Sequence, residues 1–168
     1  MDQKIFNSAS GLKLTSGEVV EEIGCFMAAD RGRRYKIVVG TDSGIFTDSS
    51  TDFVTALVVH RLGNGGRYFW HRATLNKFHT LRERIIHEAL TSVEIAKEII
   101  LAIQDSPAFS SEDFKNLIWE FEVHVDIGEK GRTKTMIQEV VAMVRASNFE
   151  VRVKPESYAA SSIADRYA

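Results

Sequence analysis

Cysteine is almost missing from this chain. Cys25 is the only one in 168 residues, which excludes an internal disulfide and a cysteine-based metal cage. Long apolar runs are missing as well: they are as short as residues 56–59, so nothing is expected to span a membrane. The opening Met-Asp-Gln-Lys-Ile-Phe-Asn lacks the apolar core of a secretion signal, and cytoplasmic residence is the default expectation. Neither sign of charge dominates. The net charge is −2, so composition gives no general support for nucleic-acid binding, and any such surface has to be local. No repeat, low-complexity tract or linker divides the chain. A single domain over 1–168, with 44% hydrophobic residues, is long enough for a sizeable core.

The patterning predicts an α/β domain. Thr15 with Glu18 three residues on reads as a capping box, and Val19, Val20, Ile23, Phe26 and Met27 follow at helical spacing to about residue 30. Residues 35–46, 53–61 and 67–74 read as strands, the last two joined by the Gly63-Asn-Gly-Gly66 turn, which makes an antiparallel meander. A long helix is expected over 78–104, broken by Pro107 and Ser110-Ser111. A strand over 117–125, a helix over 133–146 and a strand over 149–153 form a β-α-β unit, which requires parallel strands and a right-handed crossover. Lys154-Pro155 stops the last strand, and a short terminal helix is expected over 156–167. The sum is a mixed five-stranded sheet, three antiparallel strands then two parallel ones, with flanking helices. Residues 1–34 form a helical extension to a 35–168 core. The extension helix is expected to pack on the sheet or on a second copy of the chain, as in a homodimer.

Four acidic residues, Asp42, Glu88, Asp126 and Asp165, sit among apolar or small residues rather than in charged stretches. A carboxylate on an apolar element is costly unless compensated, and a divalent cation is a natural partner. Asp42 follows Val38-Val39-Gly40-Thr41, where a strand-ending turn aspartate is the plainer reading; Asp48 and Asp52 compete with it but lie in a polar, loop-like stretch. At about 100° per residue Glu88 shares a face with Leu81, Ile85, Ser92, Ile95, Ile99 and Ile103. Its partner is either a metal or a neighbouring arginine or lysine. Glu83, on the opposite side of that wheel, is the fallback if the helix phase is shifted. Asp126 ends an apolar strand, where open α/β sheets place ligands. Asp165 is either a cleft residue or a solvated one on a fraying end.

Other candidates are secondary. His124 lies two residues before Asp126 and points the same way on a strand, as a second-shell group or as a packed histidine. Ser43 adjoins Asp42. Lys154 is placed to contact a phosphate or simply closes a strand. Arg67, His71, Arg72, Lys77, His79, Arg82 and Arg84, with Arg33, Arg34 and Lys36, form a basic run that tracks a phosphate backbone or is only a solvated face.

The element order resembles the ribonuclease H fold. Gly-Thr-Asp-Ser at 40–43, His-Val-Asp-Ile-Gly at 124–128, Lys-Pro-Glu-Ser-Tyr-Ala-Ala-Ser at 154–161, Val-His-Arg-Leu-Gly-Asn-Gly-Gly at 59–66 and the helix start at 81–88 are similar to the YkuK-type ribonuclease H-like family over residues 35–168. That resemblance implies carboxylates on the first strand, the following helix, the end of the fourth strand and the terminal helix, the places of Asp42, Glu88, Asp126 and Asp165. It implies a nuclease in which two Mg²⁺ or Mn²⁺ ions share Asp42 and are held by Glu88, Asp126 and Asp165, acting on DNA or RNA. Of the basic residues, Lys154 by its strand-end place and Arg82 and Arg84 from the basic run are the candidates to face the phosphates. Oxygen-only ligands suit hard cations and argue against zinc. Two rivals stand beside it: a non-catalytic nucleic-acid-binding or scaffold module, and a phosphotransferase in which Gly40-Thr-Asp-Ser-Gly44 is a phosphate loop.

Overall fold

The computed structural model describes residues 3–46, 50–76 and 78–168. Three long strands make its centre: β3 (Arg34–Ile45), β4 (Ser50–Arg61) and β5 (Gly66–Asn76), antiparallel in sequence order. On the other side of β3, β6 (Ile118–Val125) and then β7 (Glu150–Arg152) add in parallel. The predicted mixed topology is therefore present, but the sheet has seven strands rather than five. β1 (Ile5–Ser8) and β2 (Lys13–Thr15) form an antiparallel hairpin that docks on β5, giving the order β2-β1-β5-β4-β3-β6-β7. Strands of four and three residues are too short to show the alternation on which strand prediction depends. The N-terminal extension is thus a hairpin plus a helix.

That helix, α1 (Ser16–Ala28), starts at the capping box read from the sequence: Glu18 N–H donates to Thr15 Oγ1, and Thr15 N–H donates back to Glu18 Oε2 at 2.8 Å. α2 (Leu81–Asp105) opens on a second box, Thr80 with Glu83. Two single turns, α3 (Pro107–Ser110) and α4 (Glu112–Lys115), lead into β6, and α5 (Ile137–Ala146) joins β6 to β7. The predicted terminal helix is shorter and wider than expected, a six-residue π-helix over Ala159–Ala164.

The sheet is covered unequally. Tyr35, Ile37, Val39, Leu57, Val59, Val123 and Val125 pack beneath the buried stripes of α1, α2 and α5 in one large core. Val19, Val20, Ile23 and Met27 of α1 are fully buried there, so the helix packs on its own chain; such burial stabilises by about 1.5–3 kcal/mol per side chain. The opposite face carries Val38, Val54, Ala56 and Val58, covered by Ala159 and Ala164 of the terminal segment. Asp52, expected in a loop, lies inside β4, only 3% exposed, paired with Arg72 and accepting from Thr74. Asp48 is outside the described residues.

Candidate active site at the end of the central strand

Along β3, alternate residues face opposite sides of the sheet. Ile37, Val39, Thr41 and Ser43 face α2, and Val38, Gly40, Asp42 and Gly44 face the terminal segment. The two glycines are needed because that segment lies directly on the strand. A Cβ at Gly40 would stand 2.6 Å from the backbone N of Ala160, and one at Gly44 would stand 2.9 Å from the carbonyl carbon of Ala168. Asp42 lies between these two crossing points, hydrogen-bonded to the Asp165 side chain. Residues 40–44 are thus part of a strand paired with β4 throughout, not a phosphate loop, and the phosphotransferase reading falls.

Glu88 reaches the same strand end from the other face. It is 3% exposed in the apolar stripe of α2, and the Ser43 hydroxyl donates to its Oε1 at 2.5 Å. Deeper in the same interface Ser92 donates to Thr41 Oγ1 at 2.8 Å, and Thr41 shares a 2.8 Å hydroxyl bond with Thr55. This buried hydroxyl row fixes the rotation of α2 against β3 and therefore the place of Glu88. Glu83 is excluded from the site: it is exposed and spent on the capping box, where the N–H groups of His79 and Thr80 donate to it and hold its pKa low.

Asp126 follows from strand register. β3 and β6 run parallel with Thr41 opposite Val125, so the next residues, Asp42 and Asp126, emerge side by side. Lys154 Nζ lies 3.1 Å from Asp126 Oδ1, an ion pair without hydrogen-bond geometry, so this buried oxygen lacks a hydrogen-bond donor among the described residues. Lys154 is held by its own N–H, which donates to the Ile127 carbonyl at 2.8 Å, and by its stem, which packs on Gly128. Asp165, just past the terminal π-helix, is exposed.

The electrostatics show what the cluster lacks. Burial pushes Asp42 up to about 7, and the charges of Asp126 and Asp165 push the same way against a backbone hydrogen bond from Ser43. Burial likewise pushes Glu88 up to about 8, with Asp42 and Asp126 adding to it and the Ser43 hydroxyl and Arg84 opposing. The opposing cation, Arg84, lies one turn before Glu88 on α2 itself and not on a neighbouring element, and its buried Nε makes no hydrogen bond among the described residues. The donors are all hard oxygens, two of them are costly to ionise, and Asp126 has an unsatisfied one; this set fits a divalent cation such as Mg²⁺ or Mn²⁺. Among the described residues no three acidic, histidine or cysteine side chains already converge closely enough to share an ion.

The other candidates fall elsewhere. His124 is 1% exposed and serves the terminal segment: Ala159 N–H donates to its Nδ1 at 3.3 Å, and its Nε2–H faces Glu122 Oε2 at 3.2 Å. Burial lowers its pKa, so it is a neutral packing histidine, and neither of these bonds reaches a site carboxylate. Glu122, which the sequence did not single out, is 3% exposed and ties Lys36, Arg152 and His124 together; its signal was the period-two Glu120, Glu122, His124 pattern. The basic run does not form one track. Arg82 pairs with Glu139 at 2.6 Å, Arg67 with Glu22, Arg72 with Asp52, Arg33 with Asp30 and Arg34 with Glu120. Strand residues alternate between faces, which scatters a run that is contiguous in sequence. Lys77 lies outside the described residues.

Comparison with known proteins agrees with the fold. The ribonuclease H-like family model matches residues 18–168. The chain is also similar to "Uncharacterized protein YkuK" of Bacillus subtilis (strain 168), 35% identical across 99% of this chain and 98% of that protein. No solved structure matches.

Proposed function

The chain belongs to the ribonuclease H-like family, and on that premise we propose that it hydrolyses phosphodiester bonds of nucleic acid with a divalent-metal carboxylate site. One observation carries the reading. Asp42 and Glu88, from opposite faces of β3, are both pushed toward neutrality by burial first and then by neighbouring carboxylates, with Asp126 and Asp165 acting on Asp42, and Asp42 and Asp126 acting on Glu88, a state that a cation between them and Asp126 would relieve. The hydrogen bonds from Ser43 and the charge of Arg84 do not offset that burial, whereas a purely structural buried carboxylate needs full compensation.

Asp42, Glu88 and Asp126 would hold Mg²⁺ or Mn²⁺, with Asp165 as the fourth ligand and two ions as the expected number. Bound there, two such ions supply charge stabilisation to both the attacking and the leaving oxygen. The chain's own residues do the rest. Ser43 orients Glu88, and the glycines of β3 admit the segment that brings Asp165 to Asp42. Lys154 pairs with Asp126 in the absence of an ion and, once released by one, would present its ammonium at the rim of the site, where a phosphate would lie. Among the described residues no helix is long and apolar enough to cross a membrane.

Labelled single-stranded and duplex DNA and RNA, incubated with Mg²⁺ or Mn²⁺, test the proposal. Cleavage that chelator stops, and that Asp42→Asn abolishes, is expected. Binding without metal-dependent cleavage would instead favour the rival, a module that keeps the fold and only binds.

A further inference from the structure

Most cations on this surface are already paired. Lys4, Arg31, Arg33, Arg34, Lys36, Arg67, Arg72, Arg82, Lys115, Arg152 and Lys154 each meet a carboxylate within 4 Å. The loop that leaves Asp126 is different. Between β6 and α5 it carries Lys130, Arg132 and Lys134, all exposed and none in an ion pair among the described residues, against Glu129 and, at the start of the loop, Asp126 with its own partner Lys154. On a chain of net charge −2 this is a local positive surface.

The loop is also built to stay in place. Ile127 at its start is fully buried, and Met136 at its end is 6% exposed, so both stems are rooted in the core. Gly128 N–H donates to Thr133 Oγ1 at 3.3 Å, and Met136 N–H to the Thr133 carbonyl at 3.0 Å, which closes the loop on itself. Gly131 supplies the positive φ of 87° at its tip. Three free cations are thereby held on a short, anchored projection that begins at a candidate metal ligand.

We infer that this β6–α5 loop is the phosphate-backbone contact of the protein, gripping nucleic acid beside the carboxylate site through Lys130, Arg132 and Lys134. The contact is to phosphates, so it steers and positions without reading sequence. It replaces the dispersed basic run as the route by which a net-acidic protein binds a polyanion. The inference rests on the proposed function for its location, and its own test is independent of cleavage.

Fluorescence anisotropy of labelled single-stranded and duplex DNA and RNA, titrated with protein in chelator and in Ca²⁺ across a range of salt, reads the contact. The variant Lys130→Gln/Arg132→Gln/Lys134→Gln should bind about tenfold weaker or worse, and the slope of log K against log salt should fall by about 2–3. Single substitutions should each lower it by about one. The control is Lys97→Gln/Arg145→Gln. These are two further cations with no ion pair among the described residues, lining a separate cavity of about 790 Å³ near Leu101 and Phe149, roughly 20 Å along α2 from Glu88. The control should bind like wild type. Unchanged binding by the loop variant, equal loss in the control, or no binding by wild type would each overturn the inference. Loop-dependent binding together with an absence of Mn²⁺ stabilisation would overturn the carboxylate-site reading alone.

Discussion

Glu88→Gln gives the sharpest view of the buried charge. In the folded chain Glu88 is pushed up to about 8 from 4.5, so at pH 7 folding takes up a proton that the unfolded chain has lost. Across about 2.5 pH units, at about 1.4 kcal/mol each, this uptake costs the metal-free protein about 3 kcal/mol at pH 7. Glutamine keeps the shape and removes that term. Its amide still accepts from Ser43, but its N–H groups are newly buried, which returns about 1–2 kcal/mol of cost. Metal-free Glu88→Gln should therefore be more stable than wild type by about 1–2 kcal/mol at pH 7, a rise in Tm of about 2–8 °C for a chain of this length. Below pH 4 both side chains are neutral in both states, and the advantage should vanish. Mn²⁺ should stabilise wild type more than the variant, because a ligand stabilises in proportion to its affinity for the folded state. Scanning calorimetry at several pH values, with chelator and with Mn²⁺, reads all of this. Destabilisation of about 3–5 kcal/mol in chelator would mean that Glu88 is ionised and paired with Arg84, and would refute the reasoning.

Two further outcomes are expected. Because Asp42 and Glu88 have raised folded-state pKa values, they contribute stability that is full below about pH 4 and lost as pH rises through about 7 and 8, so chelated wild type should melt progressively lower across that window while Mn²⁺ flattens the decline; a chelated Tm that rises from pH 5 to pH 8 would contradict it. Gly40→Ala should cost about 1–3 kcal/mol by pushing the terminal segment off β3, and should weaken Mn²⁺ stabilisation by moving Asp165, both measured by thermal melts; wild-type behaviour would show that the segment does not need this close approach.

Long periodic elements were legible in the sequence and short or tertiary features were not. α2 announced itself, and because its phase was readable, Glu88 could be placed in the buried stripe and Glu83 on the opposite side. The parallel pairing of β6 with β7 followed from the β-α-β order, whereas the pairing of β3 with β6 was suggested only by the matching strand-end positions of Asp42 and Asp126. The β1–β2 hairpin was hidden because its strands are too short for a periodic pattern, and its place on β5 is a long-range pairing. Asp52 looked like a loop residue because Thr-Asp-Ser-Ser-Thr-Asp is polar, yet a cross-strand arginine, Arg72, lets it lie buried in β4. The glycines at 40 and 44 resembled a phosphate loop because nothing local reveals that a terminal segment crosses them. The basic run was misleading for the converse reason: which cations are neutralised is decided by Glu22, Glu120 and Glu139, far away in sequence.

A crystal soaked in Mn²⁺ and measured at the manganese absorption edge tests the central claim most directly. Anomalous peaks are expected between Asp42, Glu88 and Asp126, with the three carboxylates drawn onto the ions and Lys154 released from Asp126. A soaked crystal with no anomalous peak there, and Lys154 still on Asp126, would contradict a metal-dependent nuclease site.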